Sequence, residues 1–262
     1  MSNISQLLAD LHAESADLDA LVAGLDDADW ALPTPAPGWS IAHQIAHLAW
    51  TDDLAVLAAT DPAAFAGTLE LALTAPDRYV DDGAEAGARV PPAQLLDRWR
   101  TGRARLAGCL AALPAGTRLV WMGPPMSPGS MATARLMETW AHGLDVADAL
   151  GVIRPPTGRL RHIAWLAVRT RDFAFTVHGR QPPRDEFRVE LTAPDGSVWT
   201  FGSAAAEQSV TGPALDLCLL ATQRRHRDDL ALTAVGPDAE AWLELAQAFA
   251  GPPGAGRPAG SR

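Results

Sequence analysis

A chain of 262 residues, 48% hydrophobic and 20% charged, has room for one large domain or two smaller ones around a substantial core, and no apolar run in it reaches the length of a membrane span. A net charge of −10, with no long basic stripe, argues against nucleic acid as a partner; the one basic knot, RRHR at Arg224 to Arg227, runs straight into Asp228 and Asp229. All 21 basic residues are arginine, which excludes lysine chemistry such as a Schiff base or a Walker-type phosphate loop.

The N-terminus, MSNISQLLADLHAE, has no basic region followed by an apolar block, so a cytoplasmic protein is expected. Apolar positions from Ile4 to Leu25 fall at helical spacing and predict a first helix, with His12 facing solvent. The proline-rich connection DDADWALPTPAPGWS ends in Ser40, which caps a second helix from Ile41 to about Ala59. That helix is apolar nearly all round, so it belongs at the centre, yet it carries His43 and His47 one turn apart. Buried imidazoles need partners, and a metal is one way to supply them. Asp61-Pro62 opens a third helix to about Leu73; residues 75–90 are acidic and read as a loop; Pro91-Pro92 opens a fourth helix through Leu113. The outer face of the fourth helix carries Arg98, Arg100, Arg103 and Arg105, expected as solvated charge with one able to reach an anionic ligand.

The loop from Leu119 to Ser130 feeds a helix from Met131 to Leu150, with Ser130 expected as N-cap and Gly151 as the stop. The loop is expected at the mouth of the site that this helix carries. IRPPTG, from Ile153 to Gly158, reads as a linker. Beyond it the pattern changes to a helix from Leu160 to about Val177, a hairpin turning at Asp195-Gly196, a helix opened by Gly212-Pro213, a short strand LALTAVG and a last helix from Asp238 to Ala250. The expected build is mainly α with an α+β second domain: an antiparallel four-helix bundle over residues 1–153, a small α+β domain over 158–251 and a flexible tail over 252–262.

Glu138 and His142 stand four apart on the Met131–Leu150 helix, and so share one face one turn from each other. If the two histidine-bearing helices pack side by side, His47, Glu138 and His142 can hold one divalent metal. Three protein ligands leave coordination positions open, the mark of a catalytic site. Two imidazoles and a carboxylate suit zinc first, with nickel, iron or manganese as alternatives. The same Glu-to-His spacing also occurs in helices where the pair makes only a side-chain hydrogen bond. His43 is expected behind the ligands as an orienter, with a fourth ligand or a satisfied core histidine as the alternatives; Asp145, one turn past His142, is either an orienter or solvated. His162, His178 and His226 have no partner at ligand spacing, and Cys109 and Cys218 read as buried, inert thiols. No GxSxG occurs, and no GxGxxG lies between a strand and a helix.

Two stretches, PGWSIAHQIAHLAW (Pro37 to Trp50) and METWAHGLDVADALG (Met137 to Gly151), resemble the mycothiol-dependent maleylpyruvate isomerase family, DinB-like helical metalloproteins of actinobacteria. The resemblance implies a DinB-like four-helix bundle with a sterol-carrier-like C-terminal domain, His47, Glu138 and His142 as metal ligands, and mycothiol as a second cofactor. GPALDLCLLATQRR resembles the family's C-terminal segment, where an arginine at the helix end is implicated in catalysis; Arg224 is the best match and Arg225 the next. The implied chemistry adds a metal-bound thiolate to an electrophilic small molecule, as an isomerase or an S-transferase, with Arg224 on an anionic oxygen of the substrate, in a monomer or homodimer. The segment from Asp77 to Ala88 and the ending RRHRDD depart from the maleylpyruvate enzyme itself and resemble an actinobacterial subgroup of undefined activity. Metal-activated water in a hydrolase or lyase, and a non-enzymatic ligand-binding protein, are the alternative readings.

Overall fold

The computed structural model describes residues 4–76 and 78–261. Residues 1–3 of the expected first domain, Asp77 of the expected loop and Arg262 of the expected tail lie outside the described residues. The chain divides into two compact units, Met1–Ile153 and Arg154–Arg262.

Four long helices build the first unit: α1 (Ile4–Val22), α3 (Ile41–Thr60), α6 (Pro92–Ala112) and α7 (Pro128–Ala149). α7 packs on both α1 and α3, and α6 closes the ring from α3 back to α1, giving the four-helix bundle. Ile41, Ile45 and Leu48 of α3 meet Leu18 of α1, Trp99 of α6 and Val146 of α7 in one apolar cluster. The helix that reads as apolar all round is indeed the central one. Three shorter helices lie beside these: α2 (Asp27–Trp30), α4 (Pro62–Thr74) and α5 (Tyr79–Ala88).

Polar pairs fix how the long helices run. Buried Arg135 of α7 donates from Nε to Asp52 Oδ1 of α3 at 2.8 Å. One turn along, His47 faces Glu138; two turns along, Gln44 meets His142. Partners descend α7 as they ascend α3, so the two helices are antiparallel. α1 and α6 are tied in the same sense: Asp19 takes Arg100 at 2.6 Å and Arg103 at 2.7 Å, and Arg103 also donates to the Ser15 carbonyl. Arg98 pairs with Asp53 at 2.8 Å. Three of the four arginines expected on a solvated face are therefore struts between helices.

The expected loop over residues 75–90 is a correction, because most of it is α5. Its glycines explain how an acidic, weakly apolar helix can be held against the bundle. A Cβ on Gly87 would lie 2.8 Å from the Ala46 Cβ, and one on Gly83 would lie 2.9 Å from the Trp50 ring. α5 therefore lies flush on α3, burying Ala84 and Gly87, while its acidic residues point outward. The start of α7 also differs from expectation. Ser127, not Ser130, is the N-cap and accepts the Ser130 N–H, with Pro128 in the first turn where its missing N–H costs nothing. Gly151, at φ 66°, ends the helix as expected.

In the second unit the sheet has the order β2-β1-β3-β4. β1 (Arg188–Thr192) and β2 (Val198–Phe201) are the expected hairpin, turning at Gly196 with φ 82°. β3 (Ser209–Pro213), not foreseen, pairs parallel to β1, and β4 (Thr233–Val235) pairs antiparallel to β3. The expected helix 160–177 is two, α8 (Leu160–Arg169) and α9 (Arg171–Val177), broken at Thr170, whose hydroxyl meets the Leu166 and Gln247 carbonyls. α10 (Ala214–Ala221) stops before the arginines, a 3₁₀ turn covers Arg227–Asp229, and α11 (Pro237–Leu245) follows. In the glycine- and proline-rich end segment, the Gly260 N–H donates to the Asp229 carboxylate at 2.8 Å. No helix among the described residues is long and apolar enough to cross a membrane.

Burial pushes the Asp52 carboxyl above its ordinary range, and the Arg135 charge and hydrogen bond oppose that shift. Removing one partner of so buried a pair strands the other charge. Arg135→Met is expected to lower unfolding free energy by about 3–5 kcal/mol, and adding Asp52→Leu to restore most of the loss, read by chemical denaturation. Asp19 is the opposite case. The Arg100 hydrogen bond above all, with Arg103, holds its carboxyl below the usual range against burial. A lowered carboxyl stabilises above its unfolded pKa, and that contribution disappears as pH falls through the folded value. Asp19→Asn is expected to cost about 1–2 kcal/mol at pH 7 and nothing once both forms are neutral in acid, read by urea unfolding across pH.

Candidate metal centre

Two helices deliver three donors to one place. His47 comes from α3, Glu138 and His142 from successive turns of α7, and one donor atom from each lies within 4.8 Å of the others. Glu138 Oε2 is 3.1 Å from His142 Nε2 and 3.6 Å from His47 Nε2. A tetrahedral ion with bonds of about 2.0–2.2 Å holds its ligand atoms roughly 3.3–3.6 Å apart, so the spacing fits a shared cation. Burial pushes the Glu138 carboxyl up, but hydrogen bonds to His142 and then His47, with the charges of both rings, outweigh it and hold the carboxyl well below the ordinary range. His47 is buried and its Nδ1 has no hydrogen-bond partner. Two imidazoles and an ionised carboxylate are the donor chemistry of a divalent metal such as zinc.

An aromatic wall surrounds the donors. Trp39, from the Pro-Gly-Trp turn before α3, stacks on His142 with centroids 5.9 Å apart and planes at 16°, and lies 5.3 Å from the His47 ring. Its indole N–H donates to Asp81 of α5 at 2.9 Å. Trp50 stands 6.2 Å from His47 and meets Tyr79 edge-on. α5 therefore holds the rim of the site from the side.

His43 is not an orienter of the ligands, which corrects the sequence reading. Its Nδ1 accepts the Ser40 N–H in the capping box of α3, and its Nε2 reaches Glu85 of α5 at 2.8 Å. The position N3 of a helix whose cap is Ser40 carried that signal. Asp145 is buried rather than solvated, with Oδ2 4.0 Å from His142 Nδ1. The group bonded to that nitrogen is Gln44, at 2.5 Å. Gln44 precedes His47 by one turn on the same helix, so its position was visible, though an amide on a helix face announces nothing by itself. Arg135 and Asp52 were missed as well; the signal was a charge on each of two otherwise apolar helix faces.

The Leu119–Ser130 loop closes through a bridge between Leu119 and Met126, and Trp121 stacks on Phe65 of α4 at 5.4 Å. It packs beside Trp50, Leu54 and Leu57 at the far part of α3. In the second unit, Arg224 follows α10 and donates to the Thr222 carbonyl at 2.7 Å, while Arg225 donates to the Arg224 carbonyl and lines a cavity with His178 and His226. Cys218 is fully buried and burial pushes its thiol well up; Cys109 is half-buried.

The family model described as the mycothiol maleylpyruvate isomerase N-terminal domain matches residues 11–147, a span that includes all three donors. A model described as wyosine base formation matches residues 183–235. An uncharacterized protein of Mycobacterium tuberculosis, found in strains CDC 1551 and H37Rv, is 59% identical over 257 residues, 98% of this chain and 100% of the relative. The crystal structures of the mycothiol-dependent maleylpyruvate isomerase and of a histidine-to-alanine mutant of it each match with a TM-score of 0.59 at 16% identity, covering 90% of this chain and 96% of theirs. At that identity the likeness is one of fold.

Proposed function

The chain belongs to the family of the mycothiol maleylpyruvate isomerase N-terminal domain, and from that membership we propose that it is a metal-dependent, mycothiol-dependent enzyme acting on an electrophilic small molecule. The observation that carries the proposal is the convergence of His47, Glu138 and His142 from two helices within bonding reach of one ion. A divalent ion held there, zinc first and nickel, iron or manganese after it, supplies the positive charge that keeps a thiol deprotonated at neutral pH.

The chain's own residues divide the remaining work. His47 and His142 offer neutral nitrogens, and Glu138 offsets part of the ion's charge. Trp39 and Trp50 keep water from the donors on two sides and present flat apolar faces to an organic ligand. The nucleophile in this reading is the external thiol, and burial keeps Cys218 a protonated thiol. In an isomerase the thiolate sulfur would bond to one carbon of a conjugated double bond, whose electron pair moves to the conjugated oxygen as an enolate; the resulting single bond rotates, and the returning pair re-forms the double bond as the C–S bond breaks and the thiolate is released. In an S-transferase the adduct leaves intact. Arg224, with Arg225 as second choice, offers the planar fork that holds a substrate carboxylate or enolate oxygen. The proposal is for a cytoplasmic monomer or homodimer whose partners are small molecules.

Protein purified without added metal is expected to contain about one divalent ion per chain, and Glu138→Ala to lose both ion and activity; a variant keeping stoichiometric metal would overturn the ligand assignment. Titration with mycothiol should shift the spectrum of cobalt-substituted protein. Metal without that shift would favour activated-water chemistry, and absence of metal a ligand-binding protein. Arg224→Ala is expected to cut kcat/KM about 10²-fold or more while leaving metal content unchanged. An effect confined to Arg225→Ala would move the role to that residue.

A further inference from the structure

We propose that Gln44 is a positioning residue that fixes the ring tautomer of His142 and ties it to the turn carrying Trp39. The inference rests on the metal reading of the cluster and adds to it a chain of hydrogen bonds with one permitted direction.

The direction follows from the far end. The Trp39 carbonyl can only accept, and Thr34 Oγ1 lies 2.8 Å from it, so the Thr34 hydroxyl donates there. That leaves the Thr34 oxygen as the acceptor for Gln44 Nε2, also at 2.8 Å. With its amide nitrogen so engaged, Gln44 turns its carbonyl oxygen to His142, 2.5 Å from Nδ1. A carbonyl oxygen again only accepts, so His142 Nδ1 must carry the proton. Nδ1 is thereby fixed as a protonated nitrogen, and Nε2 is the one turned to Glu138 and to the place a shared ion would take. Gln44 is fully buried, so no water competes for its amide.

The relay also locates the wall of the site. Thr34 N–H donates to the same Trp39 carbonyl, and Pro33 bridges to Ser40, so the turn is closed on itself. It meets His142 twice, through Gln44 at the ring edge and through Trp39 on the ring face. A hydrogen-bond partner on the outer nitrogen of a metal-binding histidine sets both its tautomer and its orientation, and losing such a partner commonly weakens metal binding 10–100-fold. At hydrogen-bond distance the partner is this uncharged amide, while the Asp145 carboxylate stands off from the same nitrogen at 4.0 Å.

The test compares the wild type with Gln44→Leu, which fills the space without an acceptor, Gln44→Glu, which restores an acceptor, and Thr34→Val, which cuts the relay without touching His142. In metal-free protein at pH 8, ¹⁵N spectra of the histidine rings should place the His142 proton on Nδ1 in wild type and Gln44→Glu, lose that preference in Gln44→Leu, and blur it in Thr34→Val. Zinc affinity by chelator competition should fall about 10–100-fold in Gln44→Leu and stay within about threefold of wild type in Gln44→Glu. Folded Gln44→Leu protein with the wild-type tautomer and affinity would overturn the proposal, as would a folded Gln44→Glu variant as impaired as Gln44→Leu. A wild type that takes up no zinc defeats the metal reading instead, and the metal-free tautomer then decides the role of Gln44 alone.

Discussion

The buried ion pair between Arg135 and Asp52 is the constraint on which the site depends. α3 is apolar on almost every face, and apolar helices slide on one another at little cost because the hydrophobic effect has no direction. Three polar contacts remove that freedom: Asp52 with Arg135, His47 beside Glu138, and Gln44 with His142. Displacing α3 by one residue turns its side chains about 100° and breaks all three together. The ion pair carries the largest cost of disruption, since each charge is stranded without the other. The register that protects a buried salt bridge is therefore the register that brings His47, Glu138 and His142 together.

Around this spine the bundle uses charge economically. A chain with no lysine joins α1 to α6 and α3 to α6 with arginines, whose planar forks grip carboxylates from two directions at once, as at Asp19. In the same manner the acidic face of α5 is not spare solubility. Asp81 and Glu85 stand one turn apart and take the Trp39 indole and the His43 ring.

Much of this could be read from the sequence. The helical spacing of the long helices, the Ser40 cap, the hairpin at Gly196 and the one-turn spacing of Glu138 and His142 each depend on local patterns that a linear reading captures; that His47 meets that pair came from the resemblance, not from spacing. What escaped was non-local or written in small residues. Gly83 and Gly87 look like helix breakers, yet they are what lets a helix approach α3, and only the facing Ala46 and Trp50 reveal it. The start of α7 was misplaced because two serines flank Pro128 and both can cap. β3 was missed because SVTGP alternates too weakly to announce a strand; its pairing with β1 supplies the order. Gln44 was passed over because an amide gains its meaning from what lies opposite, and that is a residue ninety-eight positions later.

The glycine contact of α5 on α3 has a further consequence. Over Gly83 and Gly87 the two helices meet closely, against the flat Trp50 ring and on Ala46, with Tyr79 edge-on to that ring. What fastens them near Trp39 and His43 is a pair of polar clasps at the solvent boundary, with Asp81 and Glu85 both exposed. Dissolved ions weaken clasps of that kind and leave a greasy interface nearly untouched. The rim beside the donors thus answers to the salinity of its surroundings, while the spine beneath it does not.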